Sequence, residues 1–333
     1  MKTTALYVSL LLLPFLTACT KEQQQPASNN TSPTTPPVDT ISQVTVQKKW
    51  TLINKGMESS NVASLLKSGN NLIAGTQHGI YLSKDSGATW KLDALVIPTT
   101  SEVLTLSNVG TEVFAGTTTG MYKSLDHGES WIALPTLSPR PAYIIGFSQT
   151  QFGLFAATDQ GVFRSTDAGN TWNQMNTGLP PYSPLYSILA IGDSLFVGTR
   201  IGVYLSLNNG SSWQAANNGM VGDDIVSSLA YFDGKIFAGT YGRGVYVSLN
   251  KGQSWIATTT SPLLGVTVGS FTQNDSTIFA GTTIGVCILK KGETDWVNFN
   301  EGFASLTSIN SLYVTKEVIY SGTYNMGVAI RPL

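Results

Sequence analysis

Hydrophobic and polar positions alternate along most of this chain in short segments that repeat at a regular interval. An apolar segment ending in Gly-Thr, or once in Ala-Thr, is followed by a short loop and a second apolar segment. Such short apolar runs, separated by glycine-containing loops, predict antiparallel β-strands. Seven of these pairs occur: "LIAGTQHGIYLS", "VFAGTTTGMYKS", "LFAATDQGVFRS", "LFVGTRIGVYLS", "IFAGTYGRGVYVS", "IFAGTTIGVCIL" and "VIYSGTYNMGVAI".

Two further predicted strands flank each pair. Upstream lies another apolar run, such as "VSSLAYF" from Val226, which an Asp-Gly turn at Asp233 and Gly234 joins to the pair. Downstream, a tryptophan opens a fourth strand. These tryptophans lie 40, 41, 41, 41, 42 and 41 residues apart, at Trp50, Trp90, Trp131, Trp172, Trp213, Trp255 and Trp296. This period is typical of a four-stranded blade, so the sequence predicts an all-β, seven-bladed β-propeller of antiparallel blades over residues 46–333.

The two ends of the repeat array complement each other. The seventh unit ends at Leu333 after its third strand, whereas "KKWTLINKG" supplies a tryptophan strand with no unit before it. We therefore expect residues 48–55 to pair with residues 326–332 as the outer strand of the last blade. This pairing would close the ring and leave no open sheet edge.

The turn before each tryptophan carries a motif of its own. It reads "SKDSGATW", "SLDHGESW", "STDAGNTW", "SLNNGSSW" and "SLNKGQSW" in the first five units. The pattern Ser-x-Asp-x-Gly-x-x-Trp resembles the Asp-box, or BNR repeat, of sialidases, sortilin-like receptors, xyloglucan hydrolases and photosystem II assembly factors. The resemblance covers the chain from about residue 46. It implies a propeller fold and says little about activity, because this architecture serves many functions.

The composition of the motif favours a structural role over a catalytic or calcium-binding one. Aspartate and asparagine accept backbone N–H bonds within turns, glycine supplies a positive φ, and tryptophan buries a large ring. The sixth copy, "KKGETDW", has lost the pattern, and the seventh unit lacks it. The predicted structural residues are Asp85, Asp126, Asp167, Asn208, Asn250, Trp90, Trp131, Trp172, Trp213 and Trp255.

The N-terminal residues predict an export signal and a tether. Lys2 precedes an apolar run from Ala5 to Phe15, which suits a secretory signal peptide and is too short for a membrane span. "LTAC" resembles a bacterial lipobox, which implies a signal peptide over 1–18 and lipidation of Cys19. The polar segment that follows, 19–45, is rich in Pro, Ser, Thr and Gln and predicts a disordered tether. We expect a lipid-anchored protein of the bacterial cell envelope, at the outer membrane or cell surface, that contacts the membrane through this anchor alone.

Charge and residue counts exclude several classes of chemistry. The formal net charge of -1 and the absence of a basic run argue against a nucleic-acid partner. His78 and His127, the two histidines, fall in different units and on opposite predicted faces, so no metal site is predicted. Cys287 has no disulfide partner once Cys19 is lipidated, and no phosphate-binding glycine loop precedes a helix. We expect no cofactor and a monomer.

The candidate binding residues lie on the face opposite the Asp-box turns. Strand alternation places the loops between second and third strands, and the connections between blades, on that face. Loops on a rigid scaffold are where binding residues gather. Arg200 and Arg243 occupy equivalent loops of adjacent blades, where they either grip a carboxylate or sulfate or are simply solvated. The full candidate set is Arg200, Arg243, Tyr241, Tyr324, Tyr182, Tyr186, Asp224 and Glu102.

Two functions remain open from the sequence. The favoured one is a non-catalytic envelope lipoprotein whose propeller binds a protein or glycan through this face, since tyrosine offers both a stacking surface and a hydroxyl. The alternative is a glycoside hydrolase, xyloglucanase-like or, less favoured, sialidase-like, using two carboxylates across a groove. Glu102, Asp159, Asp223 and Asp224 are the acids on that face, and nothing in the sequence pairs them. No catalytic residue is therefore assigned.

Overall fold

The computed structural model describes residues 48–93, 96–137, 142–181, 184–222, 224–258, 262–303 and 306–333. The proposed signal peptide, Cys19 and its tether lie outside the described residues, as do Tyr182 and Asp223. Every regular element in the described part is a β-strand. A search of the same residues finds no helix long and apolar enough to cross a membrane.

The strands form seven antiparallel sheets of four strands each, which we number as blades 1–7. A short strand, β1 (Thr51–Leu52), precedes blade 1. Blade 1 contains β2 (Val62–Ser68), β3 (Asn71–Thr76), β4 (Gly79–Ser83) and β5 (Lys91–Asp93). Blade 2 contains β6 (Val103–Val109), β7 (Glu112–Thr117), β8 (Met121–Ser124) and β9 (Ile132–Ala133). Blade 3 contains β10 (Ile144–Thr150), β11 (Gly153–Thr158), β12 (Gly161–Ser165) and β13 (Asn173–Gln174).

The remaining blades follow the same order. Blade 4 contains β14 (Leu185–Ile191), β15 (Ser194–Thr199), β16 (Gly202–Ser206) and β17 (Gln214–Ala215). Blade 5 contains β18 (Val226–Phe232), β19 (Lys235–Thr240), β20 (Val245–Ser248) and β21 (Ile256–Ala257). Blade 6 contains β22 (Val268–Gln273), β23 (Thr277–Thr282), β24 (Gly285–Lys290) and β25 (Val297–Asn298). Blade 7 contains β26 (Ile309–Val314), β27 (Val318–Thr323), β28 (Val328–Pro332) and, as its outer strand, β1.

The pairing of β1 with β28 confirms the predicted ring closure. Thr51 lies opposite Ile330 and Leu52 opposite Ala329 in antiparallel register. The neighbouring Trp50 is buried, stacks on Phe303 with ring centroids 5.0 Å apart, and donates its indole N–H to the carbonyl of residue 299 at 2.7 Å. The all-β, seven-bladed propeller predicted from the sequence is therefore the fold of this chain.

The glycine of the recurring Gly-Thr pair marks where one blade touches the next. At Gly322 of blade 7, a Cβ atom would lie 2.8 Å from Cγ1 of Val62 in blade 1. At Gly75 of blade 1, it would lie 2.7 Å from Cγ1 of Val103 in blade 2. Both distances are shorter than carbon atoms tolerate. Glycine therefore recurs in this strand because the first residue of the neighbouring inner strand packs directly on its backbone.

The hydrophobic core is divided among the interfaces between blades. Seven clusters of buried residues each draw on two adjacent blades. At the interface of blades 5 and 6, for example, Phe237 meets Trp296 edge to face with centroids 6.1 Å apart. A single blade would leave both of these apolar faces in water, so radial packing is what stabilises the fold.

The Asp-box turns connect the third and fourth strands and are closed by their own hydrogen bonds. In the first copy, the amide of Thr89 and the hydroxyl of Ser83 each donate to Oδ1 of Asp85 at 2.8 Å. The Thr89 hydroxyl donates to Oδ2 at 2.6 Å, and the Gly87 amide donates to the Ser83 hydroxyl at 2.8 Å. The bonds from Thr89 and Ser83 lower the Asp85 pKa to about 2. Both carboxylate oxygens are thus engaged inside the turn.

The later copies repeat this geometry with either aspartate or asparagine at this position. Asp126 and Asp167 accept the same set of bonds, and the amide groups of Asn208 and Asn250 replace the carboxylates in blades 4 and 5. The motif glycines have the positive φ expected of them. The residue before each glycine also has a positive φ, which the sequence analysis did not anticipate: Ser86, His127, Ala168, Asn209 and Lys251.

Candidate functional site

The face opposite the Asp-box turns, here called the connection face, consists of the loops between second and third strands together with the connections between blades. Each loop is held by a buried threonine at the end of the second strand. Its hydroxyl donates to the carbonyl of the glycine that ends the loop, as from Thr240 to Gly244 at 2.8 Å. The same bond occurs in all seven blades, from Thr76, Thr117, Thr158, Thr199, Thr240, Thr282 and Thr323. The sequence showed the recurring threonine but not this role.

The loops are also bonded to the connections between blades. In five blades, the first loop residue donates its amide to the carbonyl of the residue that precedes the inner strand, at distances of 3.0 to 3.2 Å. The pairs are Thr118 to Glu102, Asp159 to Tyr143, Tyr241 to Ile225, Thr283 to Thr267 and Tyr324 to Ser308. The connection face is therefore preorganised by backbone and threonine hydrogen bonds, which lowers the entropy cost of binding.

A second repeated motif, Asn-x-Gly, follows the tryptophan strand and was missed by the sequence analysis. Asn217 is an example: its Oδ1 accepts the amide of Val203 at 2.6 Å and its Nδ2 donates to the carbonyl of Ile201 at 2.9 Å. Asn54, Asn176 and Asn300 make equivalent pairs of bonds. The signal was present as "NKG", "NTG", "NNG" and "NEG" at the blade period.

Large apolar side chains are exposed on this preorganised face. Of the predicted tyrosines, Tyr241 is 68% exposed and Tyr324 is 61% exposed. The structure adds Leu306 and Leu264, at 76% and 68%, which the sequence analysis did not name. Other exposed apolar residues of the same face are Val96, Tyr143, Ile201 and Val221. The sequence signal for these residues was an apolar side chain outside a strand. Such side chains are often buried, so the signal alone does not predict exposure.

Arg243 and Asp224 are the two candidate residues that the structure brings together. Nε of Arg243 lies 2.7 Å from Oδ1 of Asp224, with the arginine side chain 56% exposed and the aspartate buried. Burial, together with the nearby Asp224 carboxylate, raises the pKa of the Tyr246 phenol beside them. This ion pair joins the connection before β18 to the loop between β19 and β20. It fixes the Arg243 guanidinium in the loop that also carries the exposed Tyr241.

The other described candidates lie apart from that pair. Arg200 is exposed in the loop of blade 4, and Tyr324 is exposed in the loop of blade 7. Tyr186 is half-buried near the start of β14, and Glu102 is half-buried just before β6. The candidate residues are thus distributed around the connection face instead of converging on one pocket.

Two carboxylates of this face, those of Asp159 and Asp224, are bonded to the scaffold. Oδ1 of Asp159 accepts the amide of Tyr143 at 2.9 Å, and Asp224 is paired with Arg243. Within the described ranges, no group of three or more His, Cys, Asp and Glu side chains is arranged to hold a metal ion. Cys287 is buried, and burial raises the pKa of its thiol to about 12.

A cleft of about 610 Å³ lies at blade 1, beside its Asp-box turn and its outer strand β5. It is lined by Leu82, Trp90, Leu92 and several charged side chains, and the ion pair between Lys84 and Glu129, 2.9 Å apart, stands at its edge. None of the candidate binding residues lines this cleft.

Comparisons with known proteins identify structural neighbours only. No protein-family model and no curated protein sequence matches the chain. The structure is similar to the extracellular domain described as a one component system from B. thetaiotaomicron, with a TM-score of 0.70 and 16% identity over 85% of this chain and 40% of that one. It is similar to YCF48 bound to D1 peptide, with a TM-score of 0.67 and 12% identity over 85% of this chain and 96% of that one.

A third neighbour is an enzyme, the GH74 xyloglucanase from Xanthomonas campestris, with a TM-score of 0.65 and 13% identity. The match covers 86% of this chain and 54% of the xyloglucanase. This chain therefore spans about two fifths of the bacterial extracellular domain and about half of the xyloglucanase. At these identities the likeness is one of fold: the chain is a seven-bladed β-propeller whose neighbours include an extracellular domain, a peptide-bound YCF48 and a glycoside hydrolase.

Proposed function

We propose that this propeller binds a protein partner through its connection face, at the cell envelope, without catalysing a reaction. The observation that carries the proposal is the set of exposed apolar side chains on loops that hydrogen bonds hold in place, with Tyr241, Tyr324, Leu264 and Leu306 the most exposed. Contiguous exposed apolar surface marks interaction sites, and these four residues lie on the loops and connections of blades 5–7. Tyrosine and arginine are also the side chains most enriched in the energetic centres of protein interfaces.

A protein ligand suits this face better than a glycan. Much of the exposed set is aliphatic, as at Leu264, Leu306 and Val221, and aliphatic groups offer a sugar hydroxyl no hydrogen bond. Arg243 supplies a charge that Asp224 already orients, so it fixes the direction of a partner's polar group without adding a mobile side chain. The similarity to YCF48 bound to D1 peptide supports this choice, because there a propeller of this shape is a peptide-binding protein.

The envelope location rests on the sequence. "LTAC" at residues 16–19 resembles a lipobox, so we propose that Cys19 carries the lipid and that 19–45 tethers the propeller. Fold similarity to an extracellular domain from B. thetaiotaomicron supports an extracytoplasmic site of action.

The test compares the two faces of the propeller. The full-length protein is used to capture partners from envelope extracts, and each captured protein is quantified for wild type, for Tyr241→Ala/Tyr324→Ala, and for Leu207→Ala/Leu249→Ala. Leu207 and Leu249 are equally exposed but belong to the Asp-box turns, so they form the matched control. We expect a specific partner that the first double variant loses by about tenfold or more, equal to about 1.4 kcal/mol, and that the second retains.

Two results would contradict this function. One is a partner whose capture depends on the Asp-box leucines and not on the tyrosines. The other is release of reducing sugar when the purified protein is incubated with envelope or plant glycans, which would favour the hydrolase alternative. In that case removal of Glu102 and Asp159 carboxylates should abolish turnover.

A further inference from the structure

The loops between the second and third strands have two lengths, and the two longer loops are equivalent to each other. In blades 5 and 7, three residues separate the buried threonine from the glycine that ends the loop, whereas two residues do so in the other five blades. Each longer loop also bonds to the connection that follows its blade. The amide of Gly244 donates to the carbonyl of Val266, and the amide of Gly327 donates to that of Ser60, both at 2.8 Å. The two loops therefore share both length and backbone bonding.

Because the two loops are equivalent, blade 7 shows which side chains of blade 5 the fold does not require. Arg243 occupies the loop position that Met326 occupies in blade 7. Asp224, two residues before the inner strand, occupies the position of Thr307, and both residues are buried, at 3% and 2% exposure. A loop of this length and bonding thus forms without either charge.

The ion pair of blade 5 is a costly way to stabilise a loop. Burying a carboxylate removes its hydration, and only a fully bonded pair offsets that loss. Here Nε of Arg243 lies 2.7 Å from Oδ1 of Asp224, while Oδ2 is buried and accepts no hydrogen bond from the described residues. The six other blades carry an uncharged residue at the position of Asp224: Ser60, Ser101, Ala142, Ser183, Val266 and Thr307. A costly departure from the repeat, found in one blade, points to a role outside folding.

The pair presents one edge of the guanidinium to solvent. A guanidinium has five N–H donors, and Nε–H serves Asp224, so the donors on Nη1 and Nη2 form the remaining edge. The Arg243 side chain is 56% exposed and the Asp224 side chain 2%, so the positive end of the pair faces outwards. Two parallel donors on this edge match the two coplanar oxygens of a carboxylate, which accept both bonds at once.

We propose that Arg243, positioned by Asp224, binds the carboxylate of an acidic side chain of the protein partner. This inference rests on the proposed function and names the chemistry that the partner supplies at blade 5. Asp224 balances the total charge of the pair, so the pattern of donors contributes to recognition together with the exposed positive end. An amide of the same shape offers one acceptor oxygen and turns an NH₂ group towards the Arg243 donors. The site should therefore prefer Asp or Glu over Asn or Gln.

The test transfers the uncharged pair of blade 7 into blade 5. Asp224→Thr/Arg243→Met reproduces the residues at Thr307 and Met326, and it leaves the net charge unchanged because one acid and one base are removed. Lys251→Met removes a positive charge from the exposed Asp-box turn of the same blade and serves as the control. Circular dichroism and the melting temperature confirm that each variant is folded.

The probe is a set of random dodecapeptides displayed on phage and selected on the immobilised full-length protein. Each enriched peptide with an acidic residue is synthesised in two forms, as selected and with that residue replaced by Asn or Gln. The dissociation constants of both forms are measured for wild type and for each variant. Their ratio reports the carboxylate alone, because a general disturbance of the loop would weaken both forms equally.

We expect wild type and Lys251→Met to prefer the acidic form by about tenfold or more, and Asp224→Thr/Arg243→Met to bind the two forms within about twofold of each other. Three results would overturn this inference and leave the proposed function standing. In each, the peptides require Tyr241 and Tyr324, but they contain no acid, show no preference for the acidic form on wild type, or keep that preference on the double variant. Peptides that depend on neither the tyrosines nor Arg243, or a failure to enrich any, would overturn both.

Discussion

The indole N–H groups of two Asp-box tryptophans differ in a way that predicts a difference in stability. Trp213 and Trp131 occupy equivalent positions in blades 4 and 2, and both are buried, with 5% and 4% of their surface exposed. Nε1 of Trp213 donates to the carbonyl of Met175 in the preceding blade at 2.8 Å. Among the described residues, Nε1 of Trp131 is buried without a hydrogen-bond partner. We expect Trp213→Phe to destabilise the protein more than Trp131→Phe.

The size of the difference follows from two contributions. Both substitutions remove the same atoms from similarly buried sites, so the loss of apolar packing largely cancels. Trp213→Phe also removes a hydrogen bond between blades, which costs about 1 kcal/mol. Trp131→Phe removes an unsatisfied buried donor, which recovers about 1 kcal/mol or more. The free energies of unfolding should therefore differ by about 2 kcal/mol, a large fraction of the roughly 5–15 kcal/mol that stabilises a typical domain.

Urea denaturation followed by tryptophan fluorescence and circular dichroism measures this difference. Each variant keeps the other six tryptophans as probes, and equal m-values confirm that both unfold by the same transition. Equal destabilisation by the two substitutions would refute the reasoning, because the lost bond to Met175 and the relief of the unpaired Trp131 donor should both widen the difference. A greater loss for Trp131→Phe would show that its indole N–H is satisfied in solution.

Three further predictions concern pH, the loops and the N-terminus. Hydrogen bonds hold the pKa of Asp85 and of Asp167 at about 2, below the usual 3.8, so their contribution to stability is present above pH 4 and lost as the pH falls towards 2. The double variant Asp85→Asn/Asp167→Asn should therefore lose less melting temperature than wild type as the pH falls from 4 to 2. An equal loss in the two proteins would contradict this prediction. Thr240→Val should lower the free energy of unfolding by about 1 kcal/mol and weaken partner capture, whereas Thr158→Val should affect stability alone, as measured by urea unfolding and quantitative capture. Cys19→Ser should abolish incorporation of an alkyne-labelled fatty acid in bacterial cells; persistent labelling would rule out Cys19 as the lipid site.

The fold was predictable because its signals repeat at one period and reinforce each other. The spacing of the tryptophans gave the number of blades, and the unmatched "KKWTLINKG" at the start gave the ring closure. Each signal is local, since it lies within one strand or one turn. Seven copies of a weak local pattern then specify the architecture.

The connection face was only partly predictable because its chemistry depends on long-range geometry. Tyr241 and Tyr324 could be placed there from strand alternation, and both are exposed. The burial of Asp224 against Arg243 could not be predicted, because the sequence does not show which residue an acid in a loop will pair with. Leu264 and Leu306 are of the same residue type as many core residues, so the sequence does not predict that their side chains are exposed. The shape of the connection between blades decides their exposure. The first strand of blade 3 also carries a β-bulge at Ile145, which adds one residue without changing the composition of the strand, so the sequence does not reveal it.

The closure of blade 7 by β1 also determines how the molecule responds to a pull. A force applied through residue 48 reaches the propeller first at Trp50, whose ring is wedged between Phe299 and Phe303 of the region after blade 6. Beyond it, Thr51 and Leu52 are the paired residues that resist separation from β28. We therefore expect tension on residue 48 to be carried first by the seam between β1 and β28, which the bond from the Ile53 amide to the carbonyl of Val328 extends by one residue.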